Sequence, residues 1–428
     1  MSKQPNQHPQ RAALHNEIHA RPPERMLLPL SISRIVMYCD ASQRASSRAH
    51  LCKLLTDLHL PQPAQHATHF RIDSGPYRLR WELHTEFVSW TFNCIIPKDI
   101  GEDVSGLTAS DAVPQDWLAN VPGQCLTHLN MWVLPGQTSD NSLLIKKFCN
   151  EETLVANTVA GGSANVYTDF QIHPDGCSRI VLFVQDMAPR RLGRLVQQLM
   201  EIETYRMAGL LGLPVARATY DVLSLAETEL AELAQAIRSA DRDSEPILLD
   251  QLTKLAGQVE SQHATTHARF SATSAYFDLV DKRIQDIGEG RLEGLQTIRE
   301  FMDRRLTPAR STCEWAARRQ NALSERISRV SNLLRTRVEI EQQQSSQALL
   351  VTMNARQGIQ LKLQSTVEGL SVVAITYYII GLINHLTRGV IPLGWPWSPD
   401  TTAAAAIPVV MLLVWWFLRR LHHRVFKI

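Results

Sequence analysis

The sequence lacks most of the short motifs that identify enzymes and metal sites. It has no Walker signature, no GxGxxG and no GxSxG, and its seven cysteines include no CxxC pair. A phosphate loop, a dinucleotide-binding loop and a nucleophile elbow are therefore not indicated. Neither a zinc ribbon nor a disulfide framework is predicted, and scattered reduced thiols are the simpler interpretation.

The chain also has little net charge and no apolar leader. Its 428 residues carry a formal charge of +2, with 44% hydrophobic and 20% charged residues, which excludes disorder and allows two or three domains. Without a strong positive field, we expect no nucleic acid partner. The first 24 residues contain no apolar core, so the sequence predicts no secretory signal and a cytoplasmic N-terminal part.

Two uncharged apolar runs lie near the end of the chain. They cover Gly369–Leu386 and Thr401–Leu418, and each is just long enough to cross a lipid bilayer. The connecting loop is so short that the two helices must be antiparallel. We therefore predict a transmembrane hairpin over residues 366–420, with tryptophans at both interfaces: Trp395, Trp397, Trp415 and Trp416.

Basic residues give the hairpin an orientation. The tail over 421–428 carries Arg424 and Lys427, just after Arg419 and Arg420, whereas the loop has only Arg388 against Asp400. The positive-inside rule then places both chain ends in the cytoplasm and the loop outside. Burial of both helices in a protein core is the alternative interpretation.

Polar residues interrupt the first span. Glu368 stands at its start, and Asn384 and His385 stand near its end. Polar groups inside a membrane face protein or water. Hydrogen bonding between helices is one interpretation, and a conduction path is the other.

The region 188–365 reads as helical. Helices are predicted over Ala188–Met207, Tyr220–Arg238 and from about Glu245, and one continuous helix is predicted from about Ala316 to Leu386. The apolar positions of this continuous helix recur at alternating intervals of four and three residues, as in a coiled coil. This spacing predicts a stalk that forms a homo-oligomer. The positions are Leu323, Ile327, Val330 and Leu334. The arginines of this stretch alternate with glutamates, which favours a solvated or inter-subunit face over nucleic acid binding.

Strand-like runs fill residues 28–187. They include Ser31–Tyr38, Tyr77–Ile96, His128–Leu134, Leu154–Ala160 and Arg179–Gln185, with one helix over Ser42–Leu58. Strands joined by short turns predict an α+β domain with a largely antiparallel sheet. It follows an N-terminal motif segment, residues 1–27.

A possible metal site lies in the strand-like run Trp81–Phe87. If this run is one strand, Glu82, His84 and Glu86 share a face, opposite Trp81 and its alternating neighbours. Two carboxylates flanking an imidazole could hold a divalent metal or act as acid and base. The alternative is the solvated face of a half-buried strand.

Two further segments contain residue types that could carry chemistry. His15 and His19 are spaced for one helix face, but Glu17 is misplaced for the HExxH zinc motif, so a helix that ends before Pro22 is the simpler interpretation. His19 remains the nearest additional ligand for the metal site. Gly161 and Gly162 could admit a phosphate, although plain turns explain them better.

Several sequence blocks together resemble a bacterial family of membrane-anchored proteins defined by a domain of unknown function, number 3422. The blocks are EIHARPPE, WELHTEF, EIETYRMAGLLGLPVAR, RQNALSERISRVSNLLRTRVEIE and LQSTVEGLSVVAITYYIIGL. The resemblance implies an inner-membrane protein with a cytoplasmic domain and implies no activity. Glu17, His19, Arg21, Trp81, Glu82, His84 and Glu86 fall in its blocks.

A second resemblance is one of architecture. A cytoplasmic domain, a long helix and two C-terminal spans with a basic tail look like CorA-type cation transporters, whose Gly-Met-Asn signature matches here only Gly381 and Asn384. Three functions follow as hypotheses: a self-associating membrane anchor or assembly module, an ion channel or transporter, and a metal-dependent cytoplasmic enzyme or sensor.

Overall fold

A computed structural model describes residues 8–11, 14–15, 22–97, 106–136, 141–241, 243–390 and 396–425. The chain divides into two compact units. The first comprises residues 1–241 and 247–331, and the second comprises residues 242–246 and 332–428.

The first unit contains a mixed nine-stranded sheet. The strands are β1 Leu30–Tyr38, β2 His69–Asp73, β3 Arg78–Leu83, β4 Phe87–Ile95, β5 Gln124–Pro135, β6 Val155–Val159, β7 Ala164–Thr168, β8 Ser178–Val184 and β9 Gly290–Arg291. Their spatial order is β2-β3-β4-β1-β5-β8-β7-β6-β9. Neighbouring strands are antiparallel except β5 and β8, which are parallel. The expected α+β class is confirmed, as is a largely antiparallel sheet.

Nine α-helices surround or follow the sheet in the described ranges. They are α1 Ala41–Asp57, α2 Gln115–Ala119, α3 Asn141–Phe148, α4 Pro189–Leu210, α5 Gly212–Ser239, α6 Glu245–Asp286, α7 Ile298–Arg305, α8 Thr307–Val390 and α9 Pro399–Val425. The unbroken helix expected after Ala316 is confirmed, since α8 has 84 residues.

Local signals explain several helix starts. Asp40 caps α1 through a capping box with Gln43, and Thr297 caps α7 through a capping box with Glu300. Reciprocal side-chain bonds of this kind satisfy amide donors that the first turn leaves open. Pro189 begins α4, where its fixed φ is compatible with a helix and its missing amide costs nothing.

The sheet is covered on both faces. Apolar side chains of α4 and α6 pack on one face, together with Ile32, Met131 and Leu182 of the strands. On the other face, α1 and Trp117 of α2 cover β3 and β4, while α3 covers β5 and β8. Burial of these apolar side chains is the main force that holds the layers together.

The expected stalk seam packs inside the chain. Leu323 and Ile327 of α8 are buried among α5 and α6, and Val330 is partly buried against the same cluster. Together the helices form a three-helix bundle. The repeat was identified correctly, but its partners are helices of the same chain, so it gives no support to self-association.

In the second unit, two helices are long and apolar enough to cross a membrane. They are α8, through its C-terminal part, and α9, and only 6% and 11% of their most apolar windows are buried. Trp415 and Trp416 are exposed, and Arg419 and Arg420 lie over their rings at 5.0 and 4.9 Å from the centroids. Trp397 is also exposed, whereas Trp395 lies outside the described residues.

Candidate ionic site between the sheet and its helices

The WELHTEF block forms a hairpin rather than one strand. Strand β3 ends at Leu83 and β4 begins at Phe87, and the amide of His84 donates to the carbonyl of Phe87 at 2.9 Å. The expected strand face shared by Glu82, His84 and Glu86 is therefore wrong, because the chain reverses between them. Alternating polar residues predict one extended strand here, whereas the structure has a turn in the middle of the run.

Glu82 is buried and lies between two guanidinium groups. It is 3% exposed, its Oε1 is 2.7 Å from Nη2 of Arg80, and its Oε2 is 3.8 Å from Nη1 of Arg34. The hydroxyl of Ser89 also donates to it at 3.4 Å. The alternative expectation, a solvated strand face, is therefore also wrong for Glu82.

Burial and charge act in opposite directions on this group. Burial would raise the pKa of Glu82, but Arg80 and Arg34 outweigh it and lower the pKa. Burial lowers the pKa of Arg34, against the charge of Glu82. Glu82 is consequently a carboxylate held in its charged form, which does not suit proton transfer near neutral pH.

Glu86, in the turn, binds a second set of groups on α6. Arg269 donates to both carboxylate oxygens at 2.5 and 3.3 Å and to the hydroxyl of Tyr38 at 3.2 Å. The hydroxyl of Tyr276 donates to Glu86 at 2.8 Å. Burial and this hydrogen bond raise the pKa of Tyr276 well above its ordinary value.

Helix α4 completes the ionic site. Arg283 of α6 pairs with Glu201 of α4, and Tyr205 stacks on Tyr276 with 5.9 Å between ring centroids. Burial, reinforced by the negative charge of Glu201, raises the pKa of Tyr205 to about 12. Ion pairs and tyrosine contacts thus connect α4 to α6, and connect α6 to this half of the sheet.

Sequence reasoning missed most of these partners. Arg34 is the one charged residue of the strand-like run SISRIVMY and is 4% exposed. A charged residue at such a position indicates a buried partner, which is the only signal that the sequence offered. Glu201 and Tyr205 lie in EIETYR, within the helix predicted over Ala188–Met207, and nothing in that pattern indicates their ionic partners.

The structure brings together no metal site within its described ranges. No group of three or more His, Cys, Asp and Glu side chains there is arranged to hold an ion. His84 stacks on Phe87 with 4.4 Å between centroids. Glu17, His19 and Arg21 lie outside the described residues, so the participation of His19 in a metal site stays a prediction. Trp81 packs with Trp90 in the apolar cluster on the opposite face.

The described end of the EIHARPPE block crosses the start of α4. The amide of Met26 donates to the carbonyl of Pro189 at 3.2 Å, and Asn93 of β4 donates to the Glu24 carboxylate at 3.1 Å. A Cβ at Gly193 would lie only 1.8 Å from the carbonyl oxygen of Glu24. Glycine at this position therefore permits the backbone of the block to lie directly on the helix.

Polar residues of the first span differ in their environments. Glu368 and Asn384 are half-buried, and His385 is exposed. The Oδ1 atom of Asn384 is buried and accepts no hydrogen bond from the residues that the structure describes. The hydroxyls of Thr376 and Thr387 donate to carbonyls of their own helix.

The glycine-rich segments form tight turns. Gly161 and Gly162 have φ angles of 68° and 86° between β6 and β7. These left-handed conformations are ones that glycine adopts without steric cost. The interpretation of this segment as a plain turn is confirmed.

A model of the DUF3422 family, described as a protein of unknown function, matches residues 6–425. The chain belongs to the DUF3422 family. Comparison with curated proteins and with solved structures found no match. Membership in DUF3422 assigns no activity, so any function has to be argued from the sites themselves.

The arrangement is suited to holding elements together. Glu82 and Glu86 each contact at least one arginine, and Glu201 contacts Arg283. Breaking a buried ion pair costs far more than forming it gains, so loss of one member would leave its partners buried and charged.

Proposed function

We propose that the chain is a self-associating membrane anchor of the bacterial inner membrane, whose α+β domain lies in the cytoplasm. The bilayer is its first partner, and a second copy of the chain is its second. The resemblance to membrane-anchored proteins and the positive-inside distribution support the location. The exposed apolar helices support the anchoring.

The observation that carries anchoring is the exposure of the two spans. Large apolar side chains point outward along both helices, among them Leu382 at 65%, Leu412 at 64% and Leu413 at 59%. Exposed apolar area of this extent is unfavourable in water but favourable in hydrocarbon. The Trp415–Arg419 and Trp416–Arg420 pairs supply the amphipathic groups that belong at a membrane interface.

Self-association is supported by the part of α8 that precedes the first span. Every residue from 346 to 367 is exposed. The large apolar side chains in this stretch are Leu349, Leu350, Val351, Met353, Ile359, Leu361, Leu363 and Val367. Isolated helices gain most of their stability from packing of an apolar face, and a second copy would supply such a face.

Topology reporters test the anchor. A reporter fused at Lys427 should give a cytoplasmic signal, and one inserted at Pro399 should give an external signal. The protein should also remain in the membrane pellet after alkaline carbonate extraction. A cytoplasmic signal at Pro399, or release by carbonate, would contradict the proposal.

An ion pathway is the second candidate function. It is favoured by the buried Oδ1 of Asn384 near the end of the first span, which accepts no hydrogen bond from any described residue. A polar group inside a membrane is costly and usually functional. Proteoliposomes of the wild type should then conduct a cation, and Asn384→Leu should abolish the flux. Absence of cation flux in the wild type would exclude this candidate.

A further inference from the structure

A small cavity lies between α6 and α8 in the first unit. Its volume is about 350 Å³, at the lower end of the range of small-molecule sites. Its most buried lining is apolar and comes from Phe270, Phe277 and Cys313, none of which is more than 7% exposed. His263 and His267 of α6 line the same cavity. The cavity therefore brings two imidazole rings beside an otherwise largely apolar space.

The two histidines share one face of α6, because residues four apart in a helix are neighbours. The centroids of the His263 and His267 rings are 5.1 Å apart, and the planes of the rings meet at 72°. Two imidazole rings bound to one tetrahedral ion, each at about 2.0–2.1 Å through a nitrogen, have centroids roughly 5 Å apart. The observed separation of the rings thus already matches that of a pair that shares one ion.

Neither ring is used to hold the fold together. His263 is half-buried and His267 is exposed. Apart from their contact with each other, the two rings make no hydrogen bond or ion pair with any described residue. His50 and His173 differ, since one bonds to a backbone carbonyl at 3.0 Å and the other to a carboxylate at 2.9 Å. The nitrogens of the pair are available to an external ligand, and neutral imidazole is the commonest metal ligand in proteins.

The charges around the pair are compatible with a bound cation. Arg310 also lines the cavity, but Asp278, Asp281 and Glu314 contact its guanidinium at 2.6, 2.7 and 3.0 Å. The charge of Arg310 is thereby compensated, and Glu314 is not counted as a third ligand. Arg318, the other arginine of the described lining, is exposed, so solvent and salt screen it.

Buried polar groups across the cavity indicate that it holds water. Gln320 of α8 lines the cavity and is 1% exposed; its Oε1 accepts from the hydroxyl of Thr266 at 3.1 Å, whereas its Nε2 bonds to no described residue. The hydroxyl of Thr273, also 1% exposed and part of the lining, bonds to none either. Polar groups buried beside a cavity usually bind ordered water. Such water is also what completes the coordination of an ion that the protein binds through few ligands.

We propose that His263 and His267 bind one divalent transition-metal ion, with water from the cavity in its remaining positions. Imidazole suits Zn²⁺, Cu²⁺ and Ni²⁺, whereas Mg²⁺ prefers oxygen ligands. The described residues contain no group of three or more metal-binding side chains, so this is an open site with two protein ligands. It is separate from the metal site predicted around Glu82. An ion bound by both rings connects successive turns of α6 and stabilises the folded chain, because it binds that state alone.

Calorimetric titration with ZnCl₂ tests the proposal on the purified full chain, without an affinity tag and in an uncharged detergent. The chain has 15 histidines, so each variant is compared with the wild type rather than judged by its total metal content. His263→Ala and His267→Ala should each remove one bound Zn²⁺, or weaken the binding of that ion by at least about tenfold, since each deletes one of two ligands. The titration with MgCl₂ should show no difference between wild type and variants.

The double variant Thr265→His with His267→Ala is the matched control for spacing. It keeps the number of histidines on α6, but its two rings are two residues apart and do not face each other. It should bind Zn²⁺ as weakly as His267→Ala does. His66→Ala removes an exposed histidine outside the cavity lining and should bind Zn²⁺ as the wild type does.

Electron paramagnetic resonance with Cu²⁺ as the probe gives a second measurement. The wild type should show one copper coordinated by two imidazole nitrogens, and each single alanine variant should lose that signal. Circular dichroism of every variant shows whether the fold is retained. The proposal is overturned if His263→Ala and His267→Ala bind Zn²⁺ in the same number and as tightly as the wild type. It is also overturned if the Thr265→His, His267→Ala variant binds as the wild type does.

Discussion

Glu82 is the residue whose environment differs most from what its sequence neighbours suggest. Its side chain is 4% exposed, and those of Arg34 and Arg80 are 5% and 11% exposed. Removing one member of a buried ionic group leaves the others charged and without compensation.

Glu82→Gln should lower the free energy of unfolding by roughly 3–5 kcal/mol, the usual effect of breaking a buried pair. Urea unfolding followed by intrinsic tryptophan fluorescence measures it, since Trp81 and Trp90 are buried beside this strand. The matched control is Glu325→Gln, because Glu325 and Arg329 are 3.7 Å apart on an exposed surface. The control should change stability by at most about 0.5 kcal/mol, and equal effects in both variants would refute the assignment.

The same residue predicts a pH dependence with a definite sign. The folded-state pKa of Glu82 lies below the ordinary value of 4.5, so the unfolded chain binds the proton first as the pH falls. Its stabilising effect is therefore complete above pH 4.5 and is lost as the pH falls through the folded pKa. The stability difference between wild type and Glu82→Gln should shrink in acid. A difference that stays constant down to pH values well below 4.5 would show that Glu82 is not held as a carboxylate.

Residue identity alone could not reveal this site. Alternation placed Trp81 and Glu82 on opposite faces, which the structure confirms. What the sequence could not supply was distance: Arg34 is 48 positions from Glu82, and Arg269 is 183 positions from Glu86. Pairs this far apart are created by the order of strands and by the packing of α6, which no local pattern encodes.

At the scale of elements, Gly193 controls how the N-terminal segment meets α4. A methyl group there would overlap the carbonyl of Glu24, a backbone atom that cannot rotate away. The segment must then shift as a whole, and its bonds from Met26 to Pro189 and from Asn93 to Glu24 must weaken.

Gly193→Ala should consequently speed hydrogen exchange at the Met26 amide and destabilise the first unit by about 1–3 kcal/mol. Gly257→Ala is the control, since Gly257 lies inside helix α6 with no heavy atom within 4 Å of an added Cβ. That change should stabilise the protein by about 0.5–1 kcal/mol, because alanine is the better helix former. Unaltered exchange at Met26 in Gly193→Ala would argue against close docking.

Periodicity predicted most elements, and its failures have physical causes. The helices α1, α4, α5, α6 and α8 and the strands β1, β5, β6 and β8 fall near their predicted positions. Tyr77–Ile96 was predicted as one strand because the turn His84–Glu86 contains no glycine, proline or asparagine. Strand β2 was missed because its residues, HFRID, are half-buried at an edge of the sheet and carry no clear alternation.

At the scale of the whole molecule, two stretches of α8 have the composition of an interface, and one of them has no covering helix among the described residues. Leu323 and Ile327 are covered by α5 and α6 of the same chain. Ile359 and Leu363, at 63% and 64% exposure, stand four residues apart on one helical face with no such cover. The repeat predicts an interface in the first stretch, whereas the self-association that we propose would use the second, exposed stretch.

The detergent-solubilised wild type should therefore have the mass of two or more chains by light scattering, corrected for bound detergent. The double variant Ile359→Gln with Leu363→Gln should lower that mass, because it removes apolar area that a second copy would cover in the proposed assembly. Ile327→Ala should lower the free energy of unfolding by roughly 2–5 kcal/mol, as large-to-small core changes do. It should leave the mass of the complex unchanged. A monomeric wild type would rule out self-association. If Ile327→Ala lowered the mass without lowering stability, the interface between chains would instead involve Leu323 and Ile327.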